Sequence, residues 1–120
     1  MDVIFESPVC RLGDIPDGSA KGLVLPNPDG APLRVIVLRR GDGVIAYRNR
    51  CPHRGTPLDL RPDDFLDRER RHFVCGTHGA LFRLDDGYCV SGPCAGDALE
   101  PVSARVENGI VLVDAFEPEL

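Results

Sequence analysis

The chain has 120 residues, of which 42% are apolar and 28% charged, proportions ordinary for a globular protein and sufficient for one domain, 1–120, around one modest core. A formal charge of −5 argues against nucleic acid, whose phosphates demand a basic footprint. An acidic surface suits instead a protein partner with a basic docking face, where charge steers the encounter.

The chain opens Met1-Asp-Val-Ile-Phe-Glu-Ser-Pro8, with an acidic second residue and no apolar run of signal-peptide length. No stretch approaches the roughly 20 apolar residues of a membrane span. The expectation is a cytoplasmic protein that engages no membrane. In that reducing compartment, five cysteines point to metal or redox chemistry before disulfides.

Gly and Pro, 13 and 11 residues, suit short strands joined by turns rather than helices. In chain order, Val3–Phe5 is a short apolar run ended by Pro8. Residues 13–30 hold Pro16, Pro26 and Pro28 and read as loop, with one short strand at Leu23–Leu25. Leu33–Leu38 and Val44–Tyr47 are rich in strand formers, and Gly41-Asp-Gly43 between them signals a hairpin. The densely charged stretch Arg61–His72 fits either a helical turn or an exposed loop. Phe73-Val74 runs into Cys75. Ala80–Leu84 and Tyr88–Val90 flank Asp85-Asp-Gly87, a second hairpin signal, and Ala104–Val106 and Ile110–Val113 flank Asn108-Gly109, a third. About eight short strands without a long helix predict an all-β antiparallel sandwich or small barrel.

Two short motifs carry chemistry: Cys51-Pro52-His53 and Cys75-Gly76-Thr77-His78. Each lies in a turn-rich segment after a strand, where a loop presents side chains from a rigid scaffold. Together they offer two thiolates and two imidazoles, a set suited to tetrahedral Zn or to an iron–sulfur cluster with mixed ligation. Structural Zn sites usually pair cysteine with cysteine and histidine with histidine. Here each loop mixes the two types, which favours a binuclear cluster clamped between loops and leaves one Zn shared by both loops as the alternative.

The segments Cys51-Pro-His-Arg-Gly-Thr-Pro-Leu58 and Cys75-Gly-Thr-His-Gly-Ala-Leu-Phe82 resemble the two cluster-binding loops of the Rieske 2Fe–2S family, of the forms C-x-H-x-G and C-x-x-H-G. Val90-Ser91-Gly92-Pro93 is similar to the proline loop that covers the cluster in that family. The resemblance implies a Rieske-like β-fold with its cluster-binding part at about residues 50–95 and one 2Fe–2S cluster per chain. It further implies that Cys51 and Cys75 hold the inner iron, and His53 and His78 the outer one. Two neutral imidazoles in place of two thiolates leave the cluster less negative and raise its potential. Twenty-one residues separate His53 from Cys75, more than compact ferredoxin-like members have, and Arg61–His72 carries the excess.

Within the family, Thr56 and Thr77 stand where the high-potential respiratory branch has two further cysteines that form a disulfide. Ala80 and Phe82 stand where that branch has a serine and a tyrosine hydroxyl. Fewer donors to the sulfurs disfavour the reduced state, so the resemblance implies the low-potential end of the Rieske range. His72 is the one histidine left over, which excludes the two-His-one-carboxylate iron site of the oxygenase members. The implied role is a one-electron carrier, not an enzyme, between a reductase and a terminal oxygenase or similar acceptor. The alternatives are a small subunit such as that of assimilatory nitrite reductase, a Rieske-like module binding Zn, and an iron–sulfur sensor.

Cys89 and Cys94 bracket the proline loop. Two reduced thiols packed beside it are expected in a reducing compartment; a disulfide between them would rigidify the cover. Cys10 reads as buried filler, His72 as solvated, and Arg54 as a rim residue for partner docking.

Overall fold

The computed structural model describes residues 6–26, 30–52, 55–77 and 79–114. Val3–Phe5, His53, Arg54 and His78 lie outside the described residues. Ten strands form three antiparallel sheets among the described residues. The first sheet has the order β1-β10-β9, with β1 at Glu6–Arg11, β9 at Ala104–Glu107 and β10 at Ile110–Asp114. The second runs β2-β3-β4-β8, from Ala20–Leu25, Leu33–Arg40, Gly43–Arg48 and Pro101–Val102. The third, β5-β6-β7, is built from His72–Val74, Leu81–Arg83 and Cys89–Ser91.

All three expected hairpins form, joining β3 to β4, β6 to β7 and β9 to β10. The all-β antiparallel expectation holds, with a single 3-10 turn at Leu12–Asp14 as the helical element among the described residues. Pro8 does not end the first strand. It lies within β1, at the edge of its sheet and beside a shift of register between Pro8 and Cys10, a position where a missing N–H is tolerated. The two-residue β8 has no pattern of its own to betray it; it pairs with Ala46 and Tyr47 of β4.

Successive side chains of a strand point to opposite faces, and β3 is buried on both. Val35 and Val37 face one way, into a layer with Ile15, Leu25, Leu33, Ala46, Val111 and Val113. Ile36 and Leu38 face the other, into a layer with Tyr47, Leu58, Phe65, Phe73, Phe82 and Leu99. The near-continuous apolar run of Leu33–Leu38 thus reads out as a middle strand between two cores. Sheets one and two enclose the aliphatic layer, and the third sheet closes the aromatic one. Tyr47 joins the second sheet to the third: its ring meets Phe73 edge-on at 5.5 Å, and its hydroxyl donates to the Leu84 carbonyl at 2.8 Å.

The charged stretch before β5 is an irregular loop with two turns, closed by the Asp64 N–H on the Arg61 carbonyl and the Arg70 N–H on the Asp67 carbonyl. Phe65 is its anchor, fully buried against Gly22 of β2, and burying one such ring is worth roughly 2–3 kcal/mol. The Gly22 N–H donates to Asp63 Oδ1 at 2.7 Å, and Leu66 bridges to Phe73. His72, expected in solvent, is half-buried with Nδ1 at 3.1 Å from Asp67 Oδ2.

Candidate metal centre

The segments after β4 and β5 make the same backbone turn twice. In the first, the Cys51 N–H donates to the Thr56 carbonyl at 2.8 Å, and the Gly55 N–H returns to the Cys51 carbonyl at 2.7 Å. In the second, the Cys75 N–H donates to the Ala80 carbonyl at 2.9 Å, and the Gly79 N–H to the Cys75 carbonyl at 2.7 Å. Gly55 and Gly79 close these turns at φ +75° and +70°, a region that suits glycine. The histidines sit at different offsets within this shared frame, two residues after Cys51 and three after Cys75.

Both cysteines are fully buried in the aromatic layer. The loops are tied together by the Gly76 N–H donating to the Leu58 carbonyl at 2.8 Å. Beneath the first loop lies Asn49, a buried polar residue that sequence patterning does not single out. Its Oδ1 accepts the Leu58 N–H at 2.7 Å, and its Nδ2 donates to Asp59 Oδ1 at 2.9 Å. One amide thereby fixes the exit of the first loop, and its only sequence signal is nearness to Cys51.

The third side is the loop after β7. A Cβ on Gly92 would lie 2.8 Å from Ala80 Cα, so only a glycine lets this loop close on the second one. Ala80 and Phe82 are both fully buried. The Cys94 sulfur lies 3.4 Å from that of Cys51, and both residues are fully buried. Cys89 instead directs its thiol to the Ser91 carbonyl at 3.2 Å. No disulfide joins Cys89 to Cys94 across the proline loop. Cys10 is half-buried on β1 beside the aliphatic layer; burial first, then the Asp14 charge, pushes its thiol up, away from reactivity.

Two buried thiols on matching loops fit a metal group with sulfur ligands, because an isolated buried thiolate is costly and a bound cation offsets its charge. Leu58, Ala80 and Phe82 are fully buried in the same layer as the two cysteines, so a group held there would be shielded from water on that side. The described residues contain no helix long and apolar enough to cross a membrane.

Comparison with known proteins agrees with this geometry. The Rieske [2Fe-2S] domain matches residues 6–111. The Rieske iron–sulfur subunit of the cytochrome bc1 complex of Streptomyces lividans is 31% identical over 67 residues, covering 56% of this chain and 36% of that protein. The chain therefore spans about a third of the length of that curated relative. Among solved structures, the ferredoxin of carbazole 1,9a-dioxygenase from Nocardioides aromaticivorans IC177 superposes with a TM-score of 0.71 at 24% identity, over 92% of this chain and 98% of that one. A chain from the complex of reduced oxygenase and oxidized ferredoxin in carbazole 1,9a-dioxygenase superposes with a TM-score of 0.72, also at 24% identity, over 98% and 100%. The terminal oxygenase of carbazole 1,9a-dioxygenase from Novosphingobium sp. KA1 gives 0.71 at 23% identity, over 97% of this chain and 31% of that one. These likenesses establish the shared fold. With the family match over residues 6–111, the chain belongs to the Rieske [2Fe-2S] domain family, and its cofactor is a 2Fe–2S cluster of the Rieske type.

Proposed function

We propose that the protein is a one-electron carrier in which Cys51, His53, Cys75 and His78 hold the cluster, passing electrons from a reductase to a terminal oxygenase. The observation that carries this reading is the pair of matching turns that bury Cys51 and Cys75 in one apolar layer. When bound, the cluster supplies reversible one-electron chemistry. The chain's own residues exclude water from the sulfur side through Leu58, Ala80 and Phe82, all fully buried. The Asn49 amide and the Gly76–Leu58 hydrogen bond hold the two loops in register, which keeps reorganisation on electron uptake small.

The choice of an oxygenase as acceptor is supported by the likeness to a ferredoxin and to ferredoxin–oxygenase complexes of carbazole dioxygenase. It accords with a cytoplasmic setting. One domain of this kind, with its cluster-binding part at about 50–95, has no catalytic residue of its own in this reading. The side chains of Ala80 and Phe82 have no donor to offer a sulfur, so the midpoint potential falls toward the negative end of the roughly −150 to +300 mV Rieske range.

Anaerobically purified protein is the material for the test. Wild-type protein is expected to show a visible chromophore that dithionite bleaches, with a reduced EPR signal whose average g lies below that of four-cysteine ferredoxins. Cys75→Ala is expected to lose both. A Cys75→Ala protein with an unchanged reduced spectrum would remove the ligand assignment, and a midpoint of several hundred millivolts positive would remove the low-potential reading.

A further inference from the structure

We infer that Cys94 is a positioning residue that donates a hydrogen bond from its thiol to the sulfur of Cys51, tuning the potential of the cluster that Cys51 ligates. The inference rests on the assignment of Cys51 as a ligand. The two sulfurs are 3.4 Å apart. Between two thiols either can donate, but a ligating Cys51 is a thiolate without a proton and can only accept. The direction is therefore fixed by ligation: Cys94 S–H to Cys51 Sγ.

The placement of Cys94 is built into the backbone. The Ala95 N–H donates to the Gly92 carbonyl at 3.1 Å, and the Asp97 N–H to the Cys94 carbonyl at 2.8 Å. The Cys89 N–H then donates to the Asp97 carbonyl at 2.8 Å, fastening this turn to the start of β7. At its other end Gly92 lies against Ala80 of the second cysteine loop. The turn that carries Cys94 is thus held from both sides. Both residues are fully buried, so water does not compete for the acceptor, and a polar contact in such surroundings has more electrostatic weight than one in solvent.

The consequence is electronic. A donor on a ligand sulfur draws negative charge from the cluster and favours the reduced form. Ala80 and Phe82 are donorless neighbours, so the Cys94 thiol offsets part of the charge they leave in place. The proline loop acquires a second duty beyond covering: it delivers a proton donor to one ligand and not, by this contact, to the other.

Redox titration of wild type, Cys94→Ala and Cys94→Ser, each purified with its cluster, separates the possibilities. Cys94→Ala is expected to weaken reduction about tenfold, a fall of about 59 mV for one electron. Cys94→Ser keeps a donor and is expected to recover most of that fall. Resonance Raman spectra are expected to show Fe–S(Cys) stretches moved up in Cys94→Ala. In wild type reconstituted in D2O, the same stretches are expected to shift relative to H2O, a measurement that needs no variant. Equal potentials in all three proteins would overturn the inference, as would equal falls in the Ala and Ser variants. Loss of the Rieske spectrum in both variants, with Cys94 required as an iron ligand, would also overturn it. If wild type itself carries no 2Fe–2S cluster, it is the ligand assignment that has failed.

Discussion

The two hydrophobic layers on either side of β3 are built from different materials. The buried residues of the aliphatic layer between the first two sheets are Val, Ile, Leu and Ala, all from strands except Ile15, which follows the 3-10 turn. The other layer contains Tyr47, Phe65, Phe73 and Phe82, and it also contains Cys51, Cys75, Cys89 and Cys94. The first can be filled by any branched chains of the right volume. The second, in the proposed ligand assignment, has to hold ligand sulfurs in place, and flat rings with few rotamers, locked edge-on as Tyr47 and Phe73 are, give a stiffer wall. Stability is shared between the layers, whereas the four fully buried cysteines all belong to one.

The largest effect expected is in the aromatic layer. Phe82→Ala removes a fully buried ring and is expected to cost about 3–5 kcal/mol in chemical denaturation; it also opens the cluster side to water, so the reduced EPR signal broadens or is lost. An unchanged signal would erase the distinction between the layers. Ile15→Ala, a fully buried residue of the aliphatic layer, is expected to cost about 2–5 kcal/mol with the midpoint potential and EPR signal of the folded fraction intact. A shifted potential there would mean that the two layers are coupled through β3.

The smallest effect lies at the margin of the aromatic layer. Partial burial pushes the Asp67 carboxyl up, but the N–H groups of Arg71 and His72 and the His72 ring together outweigh it and hold the carboxyl below its ordinary value. A depressed carboxylate stabilises the fold above its unfolded pKa of about 3.9, and the stabilisation is lost as pH falls through the folded value. Asp67→Asn is expected to lower stability at pH 6 by no more than about 1 kcal/mol, with wild type and variant converging as pH falls through the lowered folded value. A difference that persists at low pH would assign the effect to lost geometry instead of lost charge.

Much of the fold was legible because β pairing leaves local marks. Hairpin turns at Gly41–Gly43, Asp85–Gly87 and Asn108–Gly109 and the strand-rich runs around them all lie where local chemistry puts them. The cysteine loops were legible for the same reason, each with its own closing glycine. What was hidden depends on partners distant in sequence. Phe65 is one apolar residue among charges, and only the approach of Gly22 makes it core. Asn49 has no motif, since its partners Leu58 and Asp59 are brought to it by the loop it braces. Cys94 was read against Cys89, five residues away, yet its sulfur meets Cys51, forty-three residues away. The interval from Arg61 to His72 could not be read because alternating charge suits both an exposed turn and a border laid along a sheet.

That border has a consequence for encounters between molecules. Asp63 takes up the outward Gly22 N–H of β2, a strand that ends its sheet, and the same segment meets β5 through Leu66 and through the Val74 N–H, which donates to the Phe65 carbonyl at 2.8 Å. Open strand edges invite other chains to add to the sheet. Here one stretch of carboxylates and guanidiniums occupies two such edges, so self-association by strand addition is discouraged where the sheets would otherwise be most adhesive.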